Sequence, residues 1–206
     1  AVKAGNHGIV QTVHETDRGG IWQKAEIVCI SDSFCNLVPV EANFKQRLNR
    51  VKTFVFDVDG VLTNGLLLVM PDGEFLRTMN IRDGYAMQLA IKKGYRIAII
   101  SGGHSTGVPI RLKRLGIEEV HMGVPDKLSV FTDLVARHNL DPSDILYMGD
   151  DLPDLEVLSK VGVPCCPADA ATEIRTASCY VSPVGGGSGC VRDVIEQAMR
   201  LHGTWE

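Results

Sequence analysis

The stretch FVFDVDGVLTNG, residues 54–65, decides the fold, because an apolar run ends there in two carboxylates one residue apart. The residues before Asp57 are apolar at consecutive positions, which is typical of a strand buried on both faces of a parallel sheet. Asp59 and Gly60 follow at once. The pattern therefore predicts a central strand over residues 51–58 that delivers a pair of acids to the sheet edge.

From Val51 onward the chain alternates between apolar, strand-like runs and amphipathic, helical runs. Further strands are predicted at residues 95–100, 118–123, 144–149, 163–167 and 179–182. Helices are predicted at residues 83–94, 105–116, 126–139, 152–162, 169–177 and 190–202. This alternation predicts an α/β fold in which a doubly wound parallel sheet has helices on both faces and a site outside the carboxyl ends of its strands.

Two segments depart from the alternation. Residues 66–80 predict a β-hairpin with the turn PDG at residues 71–73. Residues 1–43 show no sustained period apart from a short strand at 25–30, so we interpret them as an N-terminal appendage that is disordered or non-native. Residues 44–206, which open with a short helix, then form the functional domain.

The composition limits the partners that the protein can have. The 206-residue chain carries a net charge of −4, so nothing electrostatic favours nucleic acid or an anionic membrane. It has no run of 18 or more apolar residues, and its first residues lack the order of a secretory signal. No two of its six cysteines form a C-x-x-C pair, and reduced thiols predict a cytoplasmic location.

Polar residues follow each central strand at the point where it ends, and carboxyl ends of parallel strands meet at one edge. Crowded carboxylates repel one another and need a cation among them, and oxygen ligands alone favour Mg²⁺. A hydroxyl followed by glycines at a helix start suits a phosphate. The residues expected to meet are Asp57 and Asp59, then Ser101, Gly102 and Gly103, then Lys127, and finally Asp150 and Asp151.

This set of groups suits phosphoryl transfer through a covalent intermediate. An aspartate can attack phosphorus, and a second acid must then protonate the leaving oxygen and later activate water. Side chains two residues apart at a strand end point the same way. We therefore interpret Asp57 as the nucleophile and Asp59 as the acid/base, with Lys127 neutralising the nucleophile and the phosphoryl group.

The four segments together resemble the haloacid dehalogenase superfamily of phosphohydrolases. The resemblance rests on D-x-D-G-V at residues 57–61, Ser101 after an apolar strand, Lys127, and G-D-D-x-x-D at residues 149–154, and it covers residues 51–200. The hairpin directly after DVDGVLTNG, the stretch NIRDGYAMQLA and the later GGGSGCVRDVIE are similar to the small subfamily that has no large cap domain. The resemblance implies a Rossmann-like core with the hairpin as a flap.

The resemblance also implies roles for individual residues. Asp57, Asp150 and the backbone carbonyl of Asp59 would hold Mg²⁺, while Ser101, Gly102 and Lys127 would hold the phosphoryl group. Residues implied as supporting acids or substrate contacts are Asp151, Asp154, Arg82, Gly103, His104 and Arg192. Simpler explanations stay open for several of them: Ser101 as a helix cap, Asp151 and Asp154 as helix-start acids, Arg82 and Arg192 as surface ion pairs, and His104 as a surface histidine.

The subfamily implies a substrate class and an assembly. Its members remove phosphate from 3-deoxy-D-manno-octulosonate 8-phosphate, a precursor of lipopolysaccharide, or from 2-keto-3-deoxynononate 9-phosphate. Gly103 occupies a position that is often acidic in the second group, so the eight-carbon substrate is favoured. A further alternative is a non-catalytic tetramerisation module, as in animal CMP-sialic acid synthetases. The resemblance also implies a homotetramer with sites at subunit interfaces, and the apolar run LLLVM on the hairpin suits such a contact.

Overall fold

The computed structural model describes residues 9–16, 22–31, 34–39 and 43–206, and the chain divides into two units, Ala1–Asn43 and Phe44–Glu206. In the first unit, strands β1 (Ile9–Thr16), β2 (Trp22–Ser31) and β3 (Phe34–Pro39) form an antiparallel sheet in that order. The strand predicted at 25–30 lies within β2. The strands β1 and β3 were not predicted, because their residues show no sustained alternation, although β-branched and aromatic residues favour extended backbone even without it.

The second unit is built on a six-stranded sheet whose paired strands are all parallel. Its strands are β4 (Thr53–Phe56), β7 (Arg96–Ile100), β8 (Glu119–His121), β9 (Ile145–Met148), β10 (Val163–Cys166) and β11 (Tyr180–Val181). Their order in the sheet is β11-β10-β9-β4-β7-β8, so β4 lies between β9 and β7 near the centre. The predicted α/β fold is confirmed.

Helices cover both faces of this sheet, because successive strand residues point to opposite sides. The helices are α1 (Phe44–Leu48), α2 (Ile81–Lys92), α3 (Gly107–Arg114), α4 (Lys127–His138), α5 (Leu155–Leu158), α6 (Thr172–Ala177) and α7 (Cys190–Leu201). Phe54 and Phe56 pack in one apolar cluster with α2, α3 and α7, whereas Val55 packs in a second cluster with α4, α5 and α6.

One predicted helix is shorter than expected. Residues 152–162 form a 3₁₀ turn over Leu152–Asp154 and then only α5, Leu155–Leu158. The turn starts with a capping box in which the side chains of Asp151 and Asp154 each accept from the other's backbone. Pro153 lies inside the turn, so the polypeptide is held in a tight start before the helix proper begins.

The predicted hairpin is confirmed, and it stands on the carboxyl side of β4. Strands β5 (Leu68–Val69) and β6 (Phe75–Leu76) pair antiparallel, and Gly73 adopts a φ of 87° at the turn. Six of its apolar side chains are exposed, which suits the predicted role as a flap: Leu66, Leu67, Leu68, Val69, Phe75 and Leu76. No cap domain follows, because α2 begins at Ile81.

Candidate active site

Strands β4 and β9 bring the two predicted acidic motifs together. The backbone N–H of Asp57 donates to the carbonyl of Met148 at 3.1 Å. The chain therefore leaves β4 and β9 at neighbouring points of the sheet edge. Asp57 is buried, with 6% of its surface exposed. Its Oδ1 accepts from the backbone N–H of Val58 at 2.6 Å, which fixes the carboxylate plane and leaves Oδ2 directed at the helix that carries Lys127.

Lys127 lies at the centre of the charged groups. Its Nζ is 2.9 Å from Oδ2 of Asp57 and 2.6 Å from Oδ1 of Asp154, and its side chain is 5% exposed. Burial lowers the pKa of Lys127, but the charges of Asp57 and Asp154 outweigh burial and raise its pKa above the ordinary value. The ammonium therefore stays charged at the start of α4, a position that the helix dipole disfavours.

One ammonium does not neutralise three neighbouring carboxylates. Burial, followed by the charge of Asp154, raises the pKa of Asp57 to about 6, although Lys127 opposes the shift. Burial, followed by the charges of Asp57 and Asp154, raises the pKa of Asp150 to about 7. Full ionisation of the cluster is therefore unfavourable, and a further cation among the carboxylates would favour it.

The acids are close enough to share one ion. Among the described residues, Asp57, Asp150 and Asp154 form a group whose candidate ligand oxygens all lie within 4.8 Å of one another. Oxygen donors of this kind fit Mg²⁺. The backbone also makes room for them, because a Cβ on Gly60 would lie 1.9 Å from Oδ2 of Asp150. The residues present therefore fit the predicted metal.

Asp154 takes a more central place than its predicted supporting role suggests. It is fully buried, and its Oδ1 accepts hydrogen bonds from the hydroxyl of Tyr147 and from Lys127. Its Oδ2 accepts from the backbone N–H groups of Asp150 and Asp151, at 3.2 Å and 3.4 Å. With both oxygens occupied by donors, Asp154 is suited to holding Lys127 and the Asp150 loop in place. Asp151 is exposed and caps the following turn through Leu152.

Asp59 does not join the group of three acids through its carboxylate. Instead it meets Arg77, which follows β6 and which sequence reasoning missed. Nε of Arg77 donates to Oδ1 of Asp59 at 2.6 Å, and Nη2 donates to Oδ2 at 2.9 Å. Hydrogen bonding to Asp59 raises the pKa of Arg77 further. A metal-ligand role for Asp59 would therefore use its backbone carbonyl, as the family resemblance implies.

The loop after β7 carries the predicted phosphate-binding residues. Ser101 is buried, and its Oγ accepts from the backbone N–H of Gly103 at 3.2 Å, while Gly102 is exposed. A Cβ on Gly103 would lie 2.5 Å from Oδ2 of Asp59. His104 is exposed, and its carbonyl accepts from Arg77 at 3.1 Å. The loop thus adjoins the D-x-D turn through Gly103.

Arg82 and Arg192 lie together but apart from the acids. Both line a cavity of about 550 Å³, whose described lining includes Ser188 and Gly189 but none of the clustered carboxylates. Nε of Arg192 is 3.0 Å from Oε2 of Glu196, and its guanidinium lies over the ring of Trp205. The structure therefore brings these two arginines to one place without bringing them to Asp57.

The glycine-rich loop, residues 185–189, packs on the D-x-D turn of its own chain. The backbone N–H of Gly187 donates to the carbonyl of Val61 at 2.9 Å, and Nδ2 of Asn80 donates to the carbonyl of Gly187. A Cβ on Gly186 would lie 2.0 Å from the carbonyl oxygen of Gly60. Only glycine permits this approach, so the loop is a support for the turn that carries Asp59.

The cavity of about 560 Å³ is at the opposite edge of the sheet. Its lining includes Val51, Lys52, Tyr95 and Asp144, which directly precede or flank the amino ends of β4, β7 and β9. Ordinary surface ion pairs surround it, such as that between Lys52 and Asp144. The buried charges at the carboxyl edge, and not the presence of this cavity, identify the candidate active site.

Comparisons with known proteins agree on one group. No protein-family model matches the chain. The chain is 35% identical over 165 residues to the 3-deoxy-D-manno-octulosonate 8-phosphate phosphatase of Escherichia coli (strain B / BL21-DE3). The aligned region covers 80% of this chain and 88% of that protein.

Solved structures give the same result. The fold is similar to that of the 3-deoxy-D-manno-octulosonate 8-phosphate phosphatase from Yersinia pestis, with a TM-score of 0.77, 29% identity, and coverage of 95% of this chain and 96% of that one. The enzyme of the same name from Moraxella catarrhalis, in complex with magnesium ion, phosphate ion and a KDO molecule, has a TM-score of 0.76, 31% identity and coverage of 79% and 93%.

Proposed function

The chain belongs to the 3-deoxy-D-manno-octulosonate 8-phosphate phosphatase family of the haloacid dehalogenase superfamily, and we propose that it hydrolyses this phosphomonoester with Mg²⁺. The observation that carries the proposal is the buried carboxylate of Asp57, held 2.9 Å from Lys127 in a cluster with Asp150 and Asp154. The reaction would supply the free sugar acid for lipopolysaccharide synthesis.

Asp57 is proposed as the nucleophile. One of its carboxylate oxygens would attack phosphorus, the ester P–O bond would break, and Asp59 would give its proton to the departing sugar oxygen. Asp59, now a carboxylate, would accept a proton from water, and the resulting hydroxide would attack the aspartyl-phosphate. That step releases inorganic phosphate and restores both acids, so one residue serves as acid and then as base.

The phosphoryl group is proposed to lie between Ser101, the backbone of Gly102 and Lys127. The ammonium is held by Asp57 and Asp154, so it is already oriented before substrate arrives. Mg²⁺, which Asp57, Asp150 and the carbonyl of Asp59 would hold, supplies positive charge that offsets the phosphoryl oxygens and the clustered carboxylates. Asp154 is already occupied by four donors and is proposed to position these groups.

The remaining substrate contacts are proposed at two places, the loop after β7 and the cavity beside the glycine-rich loop. Gly103 and His104 adjoin Arg77 and Asp59. This position suits contact with a bound substrate that extends out of the site on this side. Arg82 and Arg192 share a cavity with the glycine-rich loop, and a guanidinium suits the carboxylate of a sugar acid. The clustered acids are not among the described lining residues of that cavity. For Arg82 and Arg192 to contact substrate, they would therefore have to complete the active site of another subunit.

A homotetramer is proposed on the same grounds. The exposed apolar side chains of the hairpin form a patch that a neighbouring copy could cover. A cytoplasmic location is also proposed, since the four cysteines whose side chains the structure describes are free thiols. No helix among the described residues combines the length and the apolar character that crossing a bilayer requires.

Residues 44–206 are proposed to carry the catalytic function by themselves. All of the proposed catalytic residues lie in that unit. A chain lacking residues 1–42 should keep its turnover within about twofold, because no group of the proposed mechanism is removed. Steady-state kinetics of the shortened chain test this, and a tenfold loss would contradict it.

A substrate panel tests the function itself. The purified chain with Mg²⁺ should hydrolyse 3-deoxy-D-manno-octulosonate 8-phosphate with a kcat/KM at least about tenfold above that for 2-keto-3-deoxynononate 9-phosphate or glucose 6-phosphate, since ligand contacts of a few kcal/mol separate such substrates. Release of inorganic phosphate is the measurement. A preference for the nine-carbon substrate would change the assignment, and inactivity on all three would favour the non-catalytic module.

A further inference from the structure

Arg77 differs from the two strand residues that precede it. Phe75 and Leu76 are 42% and 47% exposed, whereas the side chain of Arg77 is 3% exposed. It comes directly after β6, where the hairpin returns to the core. A charged side chain that is withdrawn from solvent on an otherwise exposed element needs a specific partner.

That partner is the proposed acid/base. The guanidinium meets the carboxylate of Asp59 at two points, 2.6 Å and 2.9 Å, in the parallel geometry that fixes both planes. Its remaining nitrogen, Nη1, donates to the carbonyls of Phe75 and His104, at 3.0 Å and 3.1 Å. Arg77 thus connects the hairpin, the D-x-D turn and the loop after β7.

The neighbouring backbone is shaped for this contact. A Cβ on Gly103 would lie 2.5 Å from Oδ2 of Asp59 and 2.9 Å from Nη2 of Arg77. Any other residue would therefore enter the space in which the carboxylate and the guanidinium meet. The contact involves three separate chain segments, which is more than a surface ion pair requires.

We propose that Arg77 is a positioning residue for Asp59, holding the acid/base carboxylate in the orientation from which it protonates the leaving oxygen. The inference rests on the proposed function, because it takes Asp59 as the acid. As Asp59 gives up its proton it gains negative charge, and the fixed guanidinium stabilises that charge as it develops. A change in the position of the hairpin would therefore also change the orientation of the Asp59 carboxylate.

The leaving group separates this role from a general structural one. A primary alkyl phosphate, such as the sugar acid phosphate, leaves as an alkoxide that needs the proton of Asp59 in the transition state. 4-Nitrophenyl phosphate leaves as a stabilised phenolate and hardly needs it. The parameter to compare is kcat/KM, since it reports the steps up to the first irreversible one, attack by Asp57.

The test compares Arg77→Met with the wild-type chain in Mg²⁺ buffer. For the sugar acid phosphate, kcat/KM should fall about 100-fold, the order expected when a catalytic group loses its orientation. For 4-nitrophenyl phosphate it should fall less than about threefold. Arg77→Lys keeps the charge but can contact only one carboxylate oxygen well, so it should recover part of the alkyl-specific loss.

Two further variants make the comparison specific. Asp59→Asn should show the same dependence on the leaving group, and Arg77→Met combined with Asp59→Asn should lose little more than Asp59→Asn alone. Arg137→Met is the matched control, because Arg137 also contacts a carboxylate, that of Glu119, through two nitrogens, at 3.3 Å each, but on the surface. It should leave both rates within about twofold of wild type.

An equal loss on both substrates would overturn the proposal, because a merely structural role weakens every reaction alike. Additive losses in the double variant would overturn it too. Should Arg77→Met fail to fold, the same ratio measured on Arg77→Lys decides the matter. Failure of the proposed substrate is a separate outcome: wild type would then hydrolyse 4-nitrophenyl phosphate and a simple alkyl phosphate but not the sugar acid phosphate, and the ratio remains measurable.

Discussion

Strands β4 and β9 carry charged residues at both of their ends, and the two edges behave differently. At the amino edge, Nζ of Lys52 is 2.7 Å from Oδ2 of Asp144, and the lysine side chain is 79% exposed. At the carboxyl edge, Nζ of Lys127 is 2.9 Å from Oδ2 of Asp57, with both side chains less than a tenth exposed. The distances are similar, so the difference between the edges is solvation.

Solvation decides what each pair can do. An exposed pair is screened and contributes about 0–1 kcal/mol, whereas a buried charge without its partner is strongly destabilising. Burial is also the main cause that raises the pKa of Asp57 to about 6 and that of Asp150 to about 7. Only the carboxyl edge therefore holds charge that demands a cation and can be used in catalysis.

The largest expected effect comes from removing the proposed nucleophile. Asp57→Asn should lower kcat by at least about 10³-fold, since the amide cannot attack phosphorus and nucleophile variants lose several orders of magnitude. Asp144→Asn, the matched change at the amino edge, should stay within about twofold. Phosphate release at saturating substrate measures both, and appreciable turnover by Asp57→Asn would remove the nucleophile assignment.

Metal removal should give the next largest effect, and it should act on the carboxyl edge alone. A chelator should abolish turnover and Mg²⁺ should restore it, because the clustered carboxylates lose the cation that offsets them. Saturating Mg²⁺, at about 100 times its dissociation constant, should add about 2.7 kcal/mol to the free energy of unfolding of the wild-type chain. Thermal unfolding of Asp150→Asn should show most of that gain missing. Activity indifferent to chelation would contradict the metal site.

The buried lysine and the exposed lysine give the third contrast. Lys127→Met leaves Asp57 and Asp154 without their ammonium, so unfolding of the metal-free chain at pH 8 should become easier by about 3–5 kcal/mol. Lys52→Met should change the same free energy by less than about 1 kcal/mol. Urea denaturation measures the two variants side by side. Equal effects would mean that solvation does not distinguish the edges.

Much of the carboxyl edge was predictable because strand ends are visible in sequence. An apolar run that stops at Asp57, or at Gly149 before Asp150, marks where the chain leaves a parallel sheet, and the topology brings those points together. The hairpin was predictable for a similar reason, since its turn depends on the local residues Pro71, Asp72 and Gly73.

Arg77 and the central place of Asp154 were not predictable from local patterns. Arg77 follows an exposed strand and looks like any solvated arginine, and its partner Asp59 is 18 residues away. Asp154 looks like a helix-start acid, yet it accepts from Lys127, which is 27 residues away. Neither contact follows from period or propensity, because both depend on how hairpin, helix and loop dock onto the finished sheet. The docking of these elements also explains why Arg82 and Arg192 line a cavity whose described lining does not include the clustered acids.

Asp83 offers the smallest effect and the sharpest challenge to the contrast between the edges. It lies in α2, is 1% exposed, and has no lysine beside it. Its Oδ1 accepts from the backbone N–H of Arg192 at 2.7 Å, in the first turn of α7, while its Oδ2 has no hydrogen-bond partner in the part of the chain that the structure describes. Burial raises the pKa of Asp83 to about 6. Burial by itself therefore perturbs an acid outside the candidate site.

The folded chain should consequently lose stability as pH rises past Asp83's unfolded pKa. Between about pH 4 and pH 6 the unfolded chain releases this proton and the folded chain keeps it, so the free energy of unfolding falls by about 2–3 kcal/mol from this group. Asp83→Asn should remove that slope, while Asp133→Asn, at an exposed position of α4, should keep it. Urea denaturation across this pH range measures the difference, and identical slopes would show that Asp83 stays ionised. Asp83→Asn alters no proposed catalytic group. A flatter dependence of the free energy of unfolding on pH, with wild-type turnover, would establish that a raised carboxyl pKa marks burial. It marks a site only where a lysine and further carboxylates converge on the buried acid.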